Sequence, residues 1–268
     1  MDTVRDKFWL WGHEAGSPGG PPGNSRITAA EAAFYMDVPN LILVRFREPP
    51  VPPLDRYAVP LRPLKRVVWC ITRLPSEIAV SADERQQIID LASRCDNSVG
   101  VIMDDLFNQL AEGGKPLLSV QELKDVRAQL AASKRPLGVW VVMYDFLLDL
   151  PVARHLELCD TITFWTWKQP ELANLERNFE RLEKLTPGKS KVLGCYMWDW
   201  AAAQPIPVKV MQRQCELGLR WLREGRIEGM IFLASCICDL ELETVEWTRR
   251  WIAEVGKQPL VREKKETR

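Results

Sequence analysis

The chain has 268 residues, a length that suits one α/β barrel or two small domains, and 46% of them are apolar, enough for a sizeable core. Lysine plus arginine and aspartate plus glutamate both number 36, so the formal charge is zero; with only a short charged tail at residues 261–268, nucleic acid is not an expected partner. No run of 18 apolar residues argues for a membrane-spanning helix, and seven cysteines beside two histidines favour reduced, buried thiols over a disulfide framework or a histidine-built zinc site.

The first twelve residues, MDTVRDKFWLWG, carry acidic groups and too short an apolar stretch for a secretory signal. The chain therefore reads as cytoplasmic, unless an export signal has been removed. Eight short apolar runs bounded by turn residues follow, at 8–11, 41–46, 67–71, 99–103, 137–143, 161–167, 192–198 and 229–234. Their near-continuous apolarity is the pattern of strands covered on both faces. Between them lie helical patterns. Thr28 with Glu31, Ser81 with Glu84 and Ser119 with Glu122 each have capping-box spacing. Residues 170–185 open on a proline suited to a first helical turn, and 207–225 and 240–256 supply the last two helices. Trp247 and Trp251, four apart, are expected on one inward face.

Strand and helix thus alternate eight times, which predicts a single α/β (β/α)8 TIM barrel over residues 1–258 and a charged, flexible tail over 259–268. A doubly wound open sheet is the alternative, but WGHEAGSPGG after the first strand does not fit the dinucleotide fingerprint. The connections are asymmetric. Links from helix to strand are short (DVPN, RPLK, CDNS, ELCD). Links from strand to helix are long at 14–25, 47–54 and 106–119. In a barrel those loops build the C-terminal face, where binding and chemistry sit.

The strand ends predict what lines that mouth. The first strand offers Trp11, His13 and Glu14, the second Arg45, the third Trp69 and Thr72. The fourth ends in GVIMDDLF, with Asp104 and Asp105 adjacent. The fifth offers Tyr144 and Asp145, the sixth Trp165 and Trp167. The seventh offers Tyr196, Trp198, Asp199 and Trp200, and the eighth Ser235 and Cys236. Carboxylates recur, and eight of the eleven tryptophans lie in or beside predicted strands. Aromatic faces stack on sugar rings, and two carboxylates flanking a glycosidic bond can act as acid and base or as acid and nucleophile. Period two sends Asp104 and Asp105 to opposite sides while the strand lasts. If Gly100 and Ile102 face the axis, so does Asp104; both carboxylates reach the mouth if the strand ends between them.

The segment Gly100 to Asp104 resembles the fourth strand of glycoside hydrolases of the (β/α)8 superfamily, in which an acid at that strand end is often catalytic. Met143-Tyr144-Asp145-Phe146 is similar to the Met-x-Tyr-Asp segment of chitinase-type barrels, although GVIMDDLF is not their DxxDxDxE strand, and no single family is assigned. The resemblance implies hydrolysis of a glycosidic bond in a carbohydrate substrate, with no cofactor and no metal. Asp104 or Asp105 is one expected carboxylate; Glu14, Asp145 and Asp199 compete to be its partner. Trp11, Trp69, Tyr144, Trp165, Trp167, Tyr196 and Trp198 are expected to contact sugar, with His13 and Arg45 orienting hydroxyls.

Three rivals stay open. A carbohydrate-binding barrel without chemistry uses the same aromatics. A metal-dependent sugar isomerase or lyase would gather His13, Glu14, Asp104 and Asp145. A Schiff-base enzyme would use Lys168. No glycine-rich phosphate turn follows the seventh or eighth strand.

Overall fold

A computed structural model describes residues 2–16, 23–46, 50–73, 80–133 and 135–262. The eight apolar runs form eight strands: β1 Phe8–Gly12, β2 Asn40–Leu43, β3 Arg66–Cys70, β4 Ser98–Met103, β5 Gly138–Tyr144, β6 Thr161–Trp165, β7 Ser190–Tyr196 and β8 Gly229–Leu233. All pair in parallel with their neighbours in sequence, and β1 closes the ring by pairing with β8, Phe8 opposite Met230 and Trp11 opposite Leu233. The fold is a single (β/α)8 TIM barrel. Closure leaves no free sheet edge, and both faces of every strand are covered, which is why the strands read as unbroken apolar runs.

Among the described residues, six helices of seven residues or more cover the outside: Ala29–Tyr35, Ala82–Arg94, Val120–Ala131, Leu175–Leu185, Val208–Arg223 and Glu243–Val255. After β2 and β5 the helical position is reduced to single turns, Asp55–Ala58 and Ala153–Leu156. Two of the three expected capping boxes form in full, at Thr28–Glu31 and Ser119–Glu122. The third forms by half. Ser81 accepts the Glu84 N–H at 3.1 Å, but the Glu84 carboxylate is taken by Arg45 and Arg73 and does not reach back. Residues 169–174 are 3₁₀ before the α-helix begins at Leu175. Trp247 and Trp251 stack with ring centroids 6.4 Å apart, and only Trp251 reaches the core aromatics Phe8 and Phe232.

All seven cysteines are free thiols. No helix among the described residues is long and apolar enough to cross a membrane. Of the tail, Pro259 bridges Thr3, the Leu260 N–H donates to the Asp2 carbonyl at 2.9 Å, and Arg262 pairs with Glu228; residues 263–268 lie outside the described residues, as do parts of the loops at 14–25 and 47–54.

Inside the barrel, tryptophans fill the axis and glycines on other strands make room for them. Trp9 meets Trp140 edge-on with centroids 5.1 Å apart, and one layer higher Trp11 meets Trp165 at 5.2 Å. A Cβ added at Gly194 would stand 2.0 Å from the Trp165 ring, and one at Gly229 would stand 3.0 Å from the Trp9 indole nitrogen. The upper tryptophan pair is the floor on which the site rests. Gly194→Ala should therefore destabilise the fold by about 2–3 kcal/mol or more, because an interior at crystal-like density has no slack for the methyl group. A denaturant midpoint unchanged from wild type would contradict this packing.

Candidate active site

The strand β4 ends at Met103, and its alternation decides the first carboxylate. A Cβ at Gly100 would meet the axial Trp140 indole at 3.0 Å, so the even-numbered residues of β4 face the axis and Asp104 continues that row. Thr72, just past β3, holds the backbone of Asp104 on both sides. Its hydroxyl accepts the Asp104 N–H and donates to the Asp104 carbonyl, each at 2.8 Å. Asp105 then takes φ = 52°, a left-handed conformation that aspartate tolerates better than most residues. The expected divergence of the two neighbours therefore does not occur. Period two stops at the strand end, and both carboxylates line the same cavity.

That cavity has a volume of about 410 Å³ and opens at the C-terminal face. Of the expected sugar contacts, Trp11, His13, Tyr144, Trp165, Trp167 and Tyr196 line it. The aromatics are in mutual contact: Trp165 lies 5.3 Å from Tyr196, and Trp167 stands edge-on to Tyr144 and Tyr196 at 5.8 and 6.1 Å. Trp200, also predicted at the mouth, lines it too, and five further lining residues were not predicted there: Phe46, Asn108, Val142, Phe146 and Leu233. A period-two signal was present for one of them: Phe146 stands two beyond Tyr144, on which it stacks at 5.2 Å.

Other expected residues go elsewhere. Trp69 lies on the opposite face of β3 from the axial Arg66, and its indole N–H donates to the Ser98 hydroxyl at 2.9 Å. Arg45 lies beyond the end of β2, is 2% exposed, and gives its guanidinium to Glu84. Trp198 is held in a two-residue hairpin opposite Pro205. Asp199 accepts the N–H groups of Ala201 and Ala202, each at 3.0 Å, and so caps a turn. Asp145 accepts the Trp167 N–H at 3.1 Å and lines a neighbouring recess, and Glu14 is half-buried outside the cavity lining. Among the described residues no three His, Cys, Asp or Glu side chains gather as a metal-ligand set, so His13, Glu14, Asp104 and Asp145 do not converge.

The electrostatics are dominated by burial. Asp104 is 3% exposed, and its Oδ1 has no hydrogen-bond partner. Loss of hydration pushes its carboxyl well above the usual range, the negative charge of Asp105 pushes further, and a hydrogen bond from the Asp105 N–H opposes only in part. Tyr144 donates its hydroxyl to Asp105 Oδ1 at 3.0 Å; burial first, then the Asp105 charge, holds the phenol protonated. Tyr196 is raised by burial and then by Asp104. Burial lowers His13 to about 4, so its ring is neutral at pH 7, and its backbone N–H is fixed by the Ser235 hydroxyl at 2.8 Å. His13 Nδ1, Asn108 Oδ1 and Trp200 Nε1, like Asp104 Oδ1, are buried without a protein partner. A buried polar atom is rarely left unpaired, and four such atoms belong to residues around this one cavity.

No protein-family model matches the sequence, and no curated protein matches it. Solved structures do match in shape. The endo-alpha-mannosidase of family GH99 from Bacteriodes thetaiotaomicron superposes with a TM-score of 0.59 at 10% identity, over 94% of this chain and 98% of that one. The PgaB (BpsB) glycoside hydrolase domain from Bordetella bronchiseptica gives 0.58 at 11% identity, over 94% and 99%. A Clostridium thermocellum protein that binds 5-methyl-5,6,7,8-tetrahydrofolic acid gives 0.53 at 9% identity, over 95% and 96%.

Because the native state favours protonated Asp104, its contribution to stability is complete below the ordinary carboxylate pKa of about 4 and is lost as pH rises through the raised native value. Asp104→Asn should therefore be more stable than wild type by about 1–3 kcal/mol at pH 8, with the advantage closing by pH 4. A pH-independent difference in unfolding midpoint would show that Asp104 is not the titrating group. At these identities the solved structures establish the architecture alone: this chain is a (β/α)8 barrel.

Proposed function

We propose that the protein hydrolyses a glycosidic bond, with Asp104 as proton donor and Asp105 as its anionic partner. The observation that carries this reading is the buried Asp104 carboxyl, its Oδ1 without a protein partner, beside Asp105 in an aromatic cavity. A carboxylic acid kept protonated at neutral pH is what leaving-group departure requires. Asp104 gives its proton to the glycosidic oxygen as the bond to the anomeric carbon breaks. Asp105 faces the developing positive charge, water attacks the anomeric carbon, and the proton of that water passes to Asp105. Transfer of that proton back to Asp104 restores the starting state. Trp11, Trp165, Trp167 and Tyr196 supply apolar faces for a sugar ring, and His13, Asn108 and Trp200 have polar atoms free for its hydroxyls. The glycosidases among the solved neighbours support the substrate class by analogy of fold only.

The test is a hydrolysis assay over neutral and acidic oligosaccharides with wild type, Asp104→Asn and Asp105→Asn. Asparagine keeps the shape at 104 and tolerates the left-handed backbone at 105. Each change should lower kcat about 10²–10⁴-fold, and wild-type activity should decline as pH rises through the raised Asp104 value. Unimpaired turnover in both variants removes the pair from the chemistry. Binding without turnover in the wild type favours a carbohydrate-binding barrel, and turnover abolished by a chelator favours the metal-dependent reading.

A further inference from the structure

Where β3 and β4 end, a side chain stands in for the backbone ladder. The two strands pair as far as Cys70 opposite Ile102, and the Ile71 N–H still reaches the Ile102 carbonyl at 2.9 Å. In a parallel ladder the next bond joins the Asp104 N–H to the Ile71 carbonyl, and the one after joins the Arg73 N–H to the Asp104 carbonyl. Neither is made. The Thr72 hydroxyl takes the Asp104 N–H instead and donates to the Asp104 carbonyl, each at 2.8 Å. The Cys70 thiol lies 3.3 Å from the same hydroxyl, and Cys70, Thr72 and Asp104 are all buried.

This replacement has a geometric consequence. A ladder continued through residue 105 would keep period two and send the Asp105 side chain away from the axial row of Asp104. With both backbone groups of Asp104 held by a side chain, the ladder stops and Asp105 takes φ = 52°. Its carboxylate then turns into the cavity beside Asp104 and accepts the Tyr144 hydroxyl at 3.0 Å. Without the Thr72 hydroxyl, the buried N–H and carbonyl of Asp104 would need new partners, and the nearest are those of β3.

We infer that Thr72 is a positioning residue for the proposed reaction: its hydroxyl ends the β3–β4 ladder at Asp104 and so brings both aspartates to one side. The inference rests on the hydrolase reading and adds the group that assembles its acid pair. Thr72 does not line the cavity and acts through the backbone of Asp104. The titratable groups around Asp104 are Asp105 beside it, Cys70 on β3, Tyr144 on β5, Tyr196 on β7 and His13 after β1. Burial first, and the Asp105 charge second, push the Asp104 carboxyl upward. The second effect depends on the two carboxyl groups sharing a side.

The experiment follows the Asp104 carboxyl by NMR titration of the full chain with isotope-labelled aspartate, its signal assigned by its absence in Asp104→Asn. In the wild-type background, Asp105→Asn should lower the Asp104 midpoint by removing the neighbouring charge. In Thr72→Val, which keeps the shape without the hydroxyl, the same change should leave the midpoint almost unmoved, because the coupling is already lost. Thr72→Ser restores the hydroxyl and should keep the coupling; Thr72→Ala serves as a second hydroxyl-free variant should the valine chain not fold. Turnover should follow: kcat about tenfold to a hundredfold lower in the hydroxyl-free variant, KM little changed, and recovery in Thr72→Ser. Coupling retained in a folded hydroxyl-free variant overturns the inference, as does coupling lost in Thr72→Ser. Absence of hydrolysis in the wild type sinks the glycosidase reading and leaves the coupling to be read; retained coupling sinks the positioning role even where hydrolysis is found.

Discussion

A carboxyl group at the axis of a closed barrel is the constraint around which this mouth is organised. Asp104 is withdrawn from water, has one oxygen without a partner, and stands next to a second aspartate. An isolated carboxylate in such a place would cost several kcal/mol in lost hydration, and burial accordingly shifts the group toward its protonated form. The surroundings accommodate that state. Thr72 fixes the backbone with two hydrogen bonds, Tyr144 donates to Asp105 rather than to Asp104, and burial keeps His13 uncharged. Among the described lining residues there is no arginine or lysine, and the Asp105 N–H alone favours the ionised form of Asp104.

The depth of the site follows from packing below it. Trp9 with Trp140 and Trp11 with Trp165 close the axis in two layers, and the indoles of Trp9, Trp140 and Trp165 occupy space that glycines on neighbouring strands leave free. A barrel filled in this way is a packed core rather than a pore. The upper layer turns its exposed surface to the mouth, so the same tryptophans that stabilise the fold also form the apolar floor of the cavity. Mutating them would confound stability with function, which is why Asp104 and Asp105 are the informative positions.

The solved neighbours include glycosidases and a tetrahydrofolate-binding protein on one architecture. Shared shape at about 10% identity therefore carries no chemistry. What distinguishes this chain is local: one buried acid with a neighbouring carboxylate, phenols and an imidazole held neutral, and polar atoms without partners around an aromatic cavity. Those features depend on which side chains end each strand, not on the barrel itself.

Much of this was legible in the residues. Continuous apolar runs located all eight strands, period two tied Asp104 to whichever face Gly100 takes, and long strand-to-helix links marked the face at which the cavity opens. Local patterns fix such features, because strand periodicity and turn residues act within a few positions. Partner choice across the fold was not legible. Arg45 and Trp69 look like mouth residues until Glu84 and Ser98 claim them, and Asp199 looks catalytic until Ala201 and Ala202 turn back onto it. The reversal at Asp105 likewise depends on where β4 stops. By itself the sequence determined the barrel and the end at which its long loops gather. Only the tertiary structure decided which aspartate continues the axial row and which carboxylates share a cavity, because burial and pairing are set by residues that are distant in the chain and adjacent in space.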